Sequence, residues 1–129
     1  MQDPLYLLRG LLPTVVDRIL KGVDGTTSGN VKFQTIGIYY VIFALFDSDR
    51  EATVSRLAKM GNVTKTHAAK LANSLVKLGL IERSPIHSSH GKGRQYLYRP
   101  VHDADKLLKL FGTLSTTTAP FSQDKDAHN

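Results

Sequence analysis

Hydrophobic residues recur with a helical period along most of this chain. In the first segment they are spaced three and four residues apart, at Leu5, Leu8, Leu12, Val15 and Ile19. This spacing places them on one narrow face of a helix. Pro13 either kinks that helix or occupies the first turn of a helix that runs to about Lys21. Because a small protein would otherwise leave the apolar face exposed, we expect a second copy of the chain to cover it.

A second apolar segment follows a connection rich in turn-forming residues. We expect residues 23–30 to form the connection and Thr35 to cap the next helix. Residues 36–46 are apolar on almost every side, so their period does not separate a buried helix from a strand. The length of this segment and the polar residues 47–49 that end it favour a helix.

Two amphipathic helices are predicted next, separated by a turn at residues 61–63. The first spans Ala52 to Met60, and the second begins after Thr64, a favourable N-cap residue. The second helix has an apolar face of period 3.6, formed by Ala68, Leu71, Ala72, Leu75 and Leu78. Gly79 follows where a left-handed residue commonly ends a helix.

From Leu80 onward the period changes to two residues, which is typical of strands. A strand that contains Ile81 and Arg83 leads to a polar tip at residues 88–93, and residues 94–99 return as a second strand with two tyrosines on one face. Glycines within the tip supply the positive φ angles that a hairpin needs. A last amphipathic helix is predicted over residues 103–114, and the Ser- and Thr-rich residues 115–129 are expected to be disordered.

Positive charge is concentrated between Arg50 and Pro100. Ten of the 17 Lys and Arg residues lie there against two acidic residues, so this segment carries +8 and the remainder carries −2. Each Lys or Arg placed on a phosphate releases a bound counterion, so such a field is typical of a protein that binds a polyanion. Charge alone would fit RNA or a membrane surface equally well.

The composition narrows the class of protein. With 129 residues, the chain is long enough for one domain with a core. It contains no cysteine, which excludes disulfides and Cys-based zinc sites and suits a reducing cytosol. The longest apolar run, residues 36–46, is short of the roughly 20 residues of a membrane-spanning helix. The N-terminus lacks the basic start of a signal peptide, so we expect a cytoplasmic protein with no membrane partner.

The order of short helix, turn, longer helix and basic hairpin is that of a winged helix-turn-helix. The chain resembles the MarR-like winged-helix regulators from about Gln34 to Val101, at Leu57-Ala58, Val63-Thr64, Ala68, Lys70-Leu71, Leu75 and Gly79-Leu80-Ile81. It departs from them at Gly61, where that family has an apolar residue, and at the hairpin tip, where residues 90–94 replace an Asp-x-Arg motif. Its C-terminal helix is also short.

The resemblance implies a mainly α fold with a small β-hairpin, extended by dimerisation helices at both ends. We accordingly divide the chain into residues 1–33 (N-terminal helix and linker), 34–101 (DNA-binding winged helix), 102–114 (C-terminal dimerisation helix) and 115–129 (tail).

Most of the predicted DNA contacts lie on the second amphipathic helix. Because its apolar face points inward, the opposite face is expected to meet DNA. A major groove admits one helix, whose N-terminal residues reach the base edges. Base-edge contacts are assigned to Lys65, Thr66, His67 and Lys70, with Asn73 as a weaker candidate. Phosphate contacts are assigned to Arg56, Lys59, Thr64 and Lys77. At the hairpin tip, Lys92 and Arg94 would reach the flanking backbone or the adjacent minor groove.

Two other sites are weaker interpretations of the sequence. His87 and His90 lack a carboxylate at ligand spacing, so we expect no metal site and no cofactor, and assign the histidines to phosphate contacts or to covering the hairpin. Four aromatic residues could line a pocket for a small effector: Tyr39, Tyr40, Phe43 and Phe46. We expect plain core packing there, and nothing else in the sequence supports an effector.

The function expected from these features is that of a homodimeric, sequence-specific regulator of transcription, a repressor rather than an activator, located on the nucleoid. A plasmid or phage protein for replication, partition or nucleoid organisation is the alternative that keeps DNA as the partner. A winged helix that binds another protein is a third class. An enzyme is not expected, because the sequence has no Gly-rich phosphate loop, no spaced carboxylate pair and no Ser/His/Asp set in a supporting context.

Overall fold

A computed structural model of the chain describes residues 5–22, 29–86 and 95–112. This part of the chain is mainly helical and contains a small three-stranded antiparallel sheet, as the sequence predicted in outline. The helices are α1 (Tyr6–Gly10), α2 (Leu12–Gly22), α3 (Gly29–Asp47), α4 (Val54–Gly61), α5 (Lys65–Lys77) and α6 (Ala104–Phe111). The strands are β1 (Ala52–Thr53), β2 (Ile81–Ile86) and β3 (Gln95–Pro100).

Helix α3 is the central element of the core. It contacts α2, α4, α5 and the sheet, which explains why its sequence is apolar on almost every side. The preference for a helix over a strand is therefore confirmed. The expected start is wrong, because α3 already includes Gly29 and Asn30, and Thr35 is not a cap. Thr35 is buried inside the helix, where its hydroxyl donates to the carbonyl of Val31, one turn earlier, at 2.7 Å.

Helix α4 starts two residues later than predicted. Ala52 and Thr53 form strand β1 and pair with Tyr98 and Leu97 of β3. Thr53 then caps α4 by accepting a hydrogen bond from the backbone N–H of Arg56 at 3.3 Å. The predicted turn after α4 is centred on Asn62, whose left-handed φ of 54° ends the helix.

Helix α5 forms as predicted and is fixed at both ends. The Thr64 hydroxyl accepts a hydrogen bond from the backbone N–H of His67 at 3.0 Å. Gly79, with φ +79°, turns the chain out of the helix toward β2. The buried residues of α5 are Ala68, Leu71, Ala72 and Leu75. Helix α5 packs on α3 and α4 and also contacts β2, while Thr66, Lys70 and Lys77 on its opposite face are exposed.

The sheet has the order β1-β3-β2. The β2–β3 hairpin pairs Ile81 with Pro100 at one end and Ile86 with Gln95 at the other. The expected hairpin is therefore confirmed in its strands, while its tip lies outside the described residues. Strand β2 forms an edge of the sheet and contains Pro85, at a position where a missing backbone N–H is tolerated.

The N-terminal helices pack on the core of the same chain. Leu5, Leu8, Val15 and Ile19 are each no more than 1% exposed. The expectation that this apolar face remains for a second copy is therefore wrong, because the chain covers it internally. Pro13 lies in the first turn of α2. This is one of the two positions that the sequence allowed, the other being a kink within a longer helix. Arg9 of α1 donates to the Asp47 carboxylate at 2.7 Å and so ties α1 to the end of α3.

Helix α6 is shorter than predicted within the described residues. Asp103 is its N-cap, accepting from the backbone N–H of Lys106, and Gly112 follows its last residue. Leu107 is buried, and Leu108 is exposed. Arg18 of α2 donates to the carbonyl of Leu110 at 3.3 Å, so α6 also rests on its own chain. Within the described part of the chain, no helix is long and apolar enough to cross a membrane.

Tyr39 of α3 carries an unusual buried hydroxyl. The side chain is 1% exposed, and its hydroxyl has no hydrogen-bond partner among the described residues. Burial, reinforced by the neighbouring Tyr40, raises the pKa of the Tyr39 phenol far above its usual 10.0. The neutral phenol is therefore the form that the folded protein holds.

We expect Tyr39→Phe to raise the free energy of unfolding by about 1 kcal/mol at neutral pH, because a buried polar group without a partner costs about 1–3 kcal/mol. The folded-state pKa lies above the unfolded-state value, so ionisation of Tyr39 favours unfolding as the pH rises above 10.0. That part of the alkaline destabilisation should disappear in Tyr39→Phe. Urea denaturation at several pH values measures both effects. Tyr6→Phe, on a side chain that is 65% exposed, is the control and should change neither. A less stable Tyr39→Phe protein would contradict the assignment.

Candidate nucleic-acid interface

The outward face of α5 carries a line of polar and basic side chains. Thr66, Lys70, Asn73 and Lys77 are separated by four, three and four residues, so they share one stripe opposite the buried face. Thr66, Lys70 and Lys77 are exposed, and Asn73 is half-buried. Helix α5 contains no acidic residue, so nothing within the helix offsets its positive charge.

A cleft joins the beginning of α5 to the sheet. Its volume is about 450 Å³, and its walls come from the first residues of α4, the outer side of α5 and both hairpin strands. Lys65, Thr66 and Asn73 line it from the helix, and Arg83 and Tyr96 line it from the strands. The structure thus brings three of the predicted contact residues to one concave surface, while Lys70 and Lys77 lie beyond its rim on the same helix.

Asn73 connects the helix to the hairpin. Its amide oxygen accepts a hydrogen bond from Arg83 Nη1 at 2.9 Å and a weaker one from the hydroxyl of Tyr98 at 3.4 Å. The Arg83 guanidinium also lies 4.5 Å from the centre of the Tyr96 ring, in a cation–π contact. Burial raises the pKa of the Tyr98 phenol, and the charge of Arg83 acts in the opposite direction. Tyr98 therefore keeps its proton at neutral pH and can act as the donor.

His67 is a predicted base contact whose side chain is also held by the protein. Its side chain is half-buried, and Nε2 lies 2.8 Å from the amide oxygen of Gln34 on α3. This hydrogen bond fixes the start of α5 against α3. Nε2 of His67 is therefore engaged within the protein. A base contact by this residue would have to use Nδ1.

The predicted phosphate contacts are distributed over α4 and its surroundings. Arg56 and Lys59 are exposed on α4. Arg56 Nη1 donates to the backbone carbonyl of Glu51 at 3.0 Å, which holds the guanidinium near the start of α4. The Thr64 hydroxyl is engaged as the cap of α5, so it can contact a phosphate only through its own proton.

The acidic residue of the hairpin is directed away from this surface. Glu82 precedes Arg83 in β2, so their side chains lie on opposite faces of the sheet. Its carboxylate pairs with the ammonium group of Lys106 on α6, and that hydrogen bond raises the pKa of Lys106. The cleft side of the sheet therefore keeps the charge of Arg83 without that of Glu82.

Arg83 was missed as a contact residue in the sequence. It was counted in the basic field, but its role depends on the β2–β3 register and on Asn73, ten residues earlier. The one available signal was its position two residues after buried Ile81 in a strand, which places the two side chains on the same face of the sheet. Lys92 and Arg94 lie outside the described residues, so their predicted contacts with the backbone or minor groove stay predictions.

Two further kinds of site were considered in the sequence, a metal site at the histidines and an effector pocket lined by aromatic residues. His87 and His90 lie outside the described residues, and within those residues no group of three or more His, Asp or Glu side chains could hold a metal ion. Tyr39 and Phe43 are buried in the core, as plain packing requires, whereas Tyr40 is exposed.

Comparison with known proteins does not extend this picture. No protein-family model matches the chain, and no curated protein or solved structure is significantly similar to it.

The cap of α5 can be tested by itself. Thr64→Ala removes the acceptor for the N–H of His67, and we expect it to lower the free energy of unfolding by about 1 kcal/mol. Thr64→Ser keeps an acceptor oxygen and should retain most of the stability. Urea denaturation gives both values, and hydrogen exchange should show faster opening of the first turn of α5 in Thr64→Ala alone. Equal losses in the two variants would contradict the capping role.

Proposed function

We propose that this protein is a winged helix-turn-helix protein that binds double-stranded DNA, with α5 in the major groove. The observation that carries the proposal is the outward stripe of α5. Three of its four side chains are exposed, it contains no acid, and it adjoins a concave surface that bears Lys65 and Arg83. A polyanion is the partner that such a surface fits.

The dimensions of α5 support a major-groove contact. Its 13 residues span about 20 Å in length, and a helix with its side chains is about 10–12 Å wide, which a major groove about 12 Å wide admits. The first turns, with Lys65, Thr66 and Lys70, would face the base edges. Lys77 lies two turns further along and suits a phosphate. Arg56 and Lys59 on α4 and the β2–β3 hairpin would then contact the backbone on either side.

We further propose that the protein regulates transcription, as the resemblance to MarR-like regulators implies, and does so as a repressor on the nucleoid. A bound protein that covers a promoter excludes polymerase without any additional activity. The resemblance, rather than any contact within the chain, supports this part of the proposal.

DNA binding can be tested by selecting duplexes from a random pool and measuring affinities across a salt series. Lys70→Ala should lose about tenfold in affinity for the selected site and less for random DNA, because base contacts discriminate by about 1–3 kcal/mol. Lys77→Ala should weaken both about equally and reduce the salt slope by about one. Lys109→Ala, which removes the same charge from α6, is the control and should resemble the unchanged protein.

The outcomes separate the classes of function. A single protected site over a promoter supports regulation, and repeated sites or coating of the duplex would instead support a role in replication, partition or DNA organisation. No affinity at about 100 mM salt would overturn the DNA proposal and favour a protein partner.

We also propose a homodimer, with a contact surface different from the one that the sequence suggested. Phe33, Gly37, Tyr40 and Ala44 are all exposed and lie on one face of α3, at intervals of four, three and four residues. Phe33 is 68% exposed and Tyr40 is 41% exposed. Two copies related by a two-fold axis could bury these rings against each other.

Sedimentation at micromolar concentration tests the dimer. We expect a dimer for the unchanged chain and a monomer for Phe33→Ser combined with Tyr40→Ser, because the rings supply the apolar area of this face. Met60→Ser removes an exposed apolar side chain from α4 and should leave the dimer intact. A monomeric unchanged chain would overturn this proposal and, with it, the expectation of a two-fold symmetric DNA site.

A further inference from the structure

The amide oxygen of Asn73 is occupied from within the protein. The guanidinium of Arg83 donates to it at 2.9 Å, and the hydroxyl of Tyr98 lies 3.4 Å away. A guanidinium has donors and no acceptor, so the Asn73 atom that faces it must be the oxygen and not the nitrogen. The contact with Tyr96 further restricts the guanidinium, so the donor is held in place.

The orientation of the oxygen also determines the position of the amide nitrogen. An amide group is planar, so an oxygen turned toward Arg83 and Tyr98 leaves the NH₂ group turned away from both. Asn73 lies between Lys70 and Lys77 on the outward stripe of α5 and lines the cleft. Its two N–H groups are therefore the part of the side chain presented to a partner on this surface.

We infer that Asn73 is a specificity-determining residue that acts as a donor only, and that it selects guanine over adenine at the base pair it contacts. This inference rests on the proposed DNA binding. The paired contact of Asn with adenine needs both amide atoms, the oxygen for N6–H₂ and the nitrogen for N7. With the oxygen occupied by Arg83, that contact is unavailable. Guanine presents two acceptors, N7 and O6, and matches the N–H groups.

Duplex selection with the unchanged protein and with Asn73→Ala identifies the base pair concerned, as the position whose preference disappears in the variant. We expect guanine there, with a preference over adenine of about tenfold in measured affinity. Adenine at that position, or an Asn73→Ala protein with an unaltered pattern of preferences, would overturn the inference.

Releasing the amide gives a second, independent prediction. In Arg83→Met combined with Tyr98→Phe, Asn73 is retained but its oxygen is free, so the guanine-to-adenine ratio should fall to about twofold. The ratio is compared within one protein, so a general loss of affinity from the missing charge does not affect it. Arg99→Met removes the same charge from the opposite face of the sheet and should keep the ratio. An unchanged ratio in the double variant would overturn the role of Arg83 and Tyr98.

A measurement without DNA separates this inference from the proposed function. A double-mutant cycle with Asn73→Ala and Arg83→Met should give non-additive changes in melting temperature, because each variant removes the same hydrogen bond. Additive changes would overturn the orientation of Asn73 even if DNA binds. If the cycle shows coupling but the duplex selection yields no bound DNA, DNA binding is overturned and the base preference with it. The hydrogen bond between Asn73 and Arg83 would still stand. Melting curves also show whether each variant is folded.

Discussion

The packing of α5 against α3 determines where the proposed DNA-binding side chains lie. Ala68 and Ala72 are completely buried on the inner face of α5, and their small side chains allow the helix to lie close to its neighbours. Leu71 and Leu75 fill the space beside them and remove apolar area from water. Because a helix is rigid about its axis, fixing this face also fixes the outward stripe. A hydrogen bond between His67 at the start of α5 and Gln34 adds a polar contact between the two helices.

Local signals explain the parts of the fold that were predictable from the sequence. The cap at Thr64, the apolar period of α5 and the glycine after it are properties of consecutive residues, and the structure confirms them. The two-residue strand β1 has no such signal, since it exists only through its pairing with β3. Threonine is a residue type that often caps helices, but the hydroxyl of Thr35 donates to the carbonyl of Val31 within α3. The N-terminal stripe was recognised as a buried face, although an apolar period does not specify whether the same chain or a second copy covers it.

The candidate site shows the same division between local and long-range information. Lys65, Thr66, Lys70 and Lys77 were identified from helical periodicity alone, and each is exposed on α5. Asn73 was identified as a side chain that could contact a base, but its partners come from two strands whose register the sequence does not specify. The pairing of Glu82 with Lys106 is equally non-local. Such contacts decide which atoms of a side chain remain available, and they depend on the assembled sheet and helices.

The position of Pro85 in the edge strand β2 also limits how two molecules can associate. An unpaired strand edge is a template for adding a strand from another chain, which leads to aggregation or to dimers joined through a continuous sheet. A proline on that edge offers no N–H for such a ladder. The opposite edge, β1, is only two residues long. Among the described residues, the edges of the sheet are therefore poor places to add a strand, and the proposed dimer would use a helical surface instead.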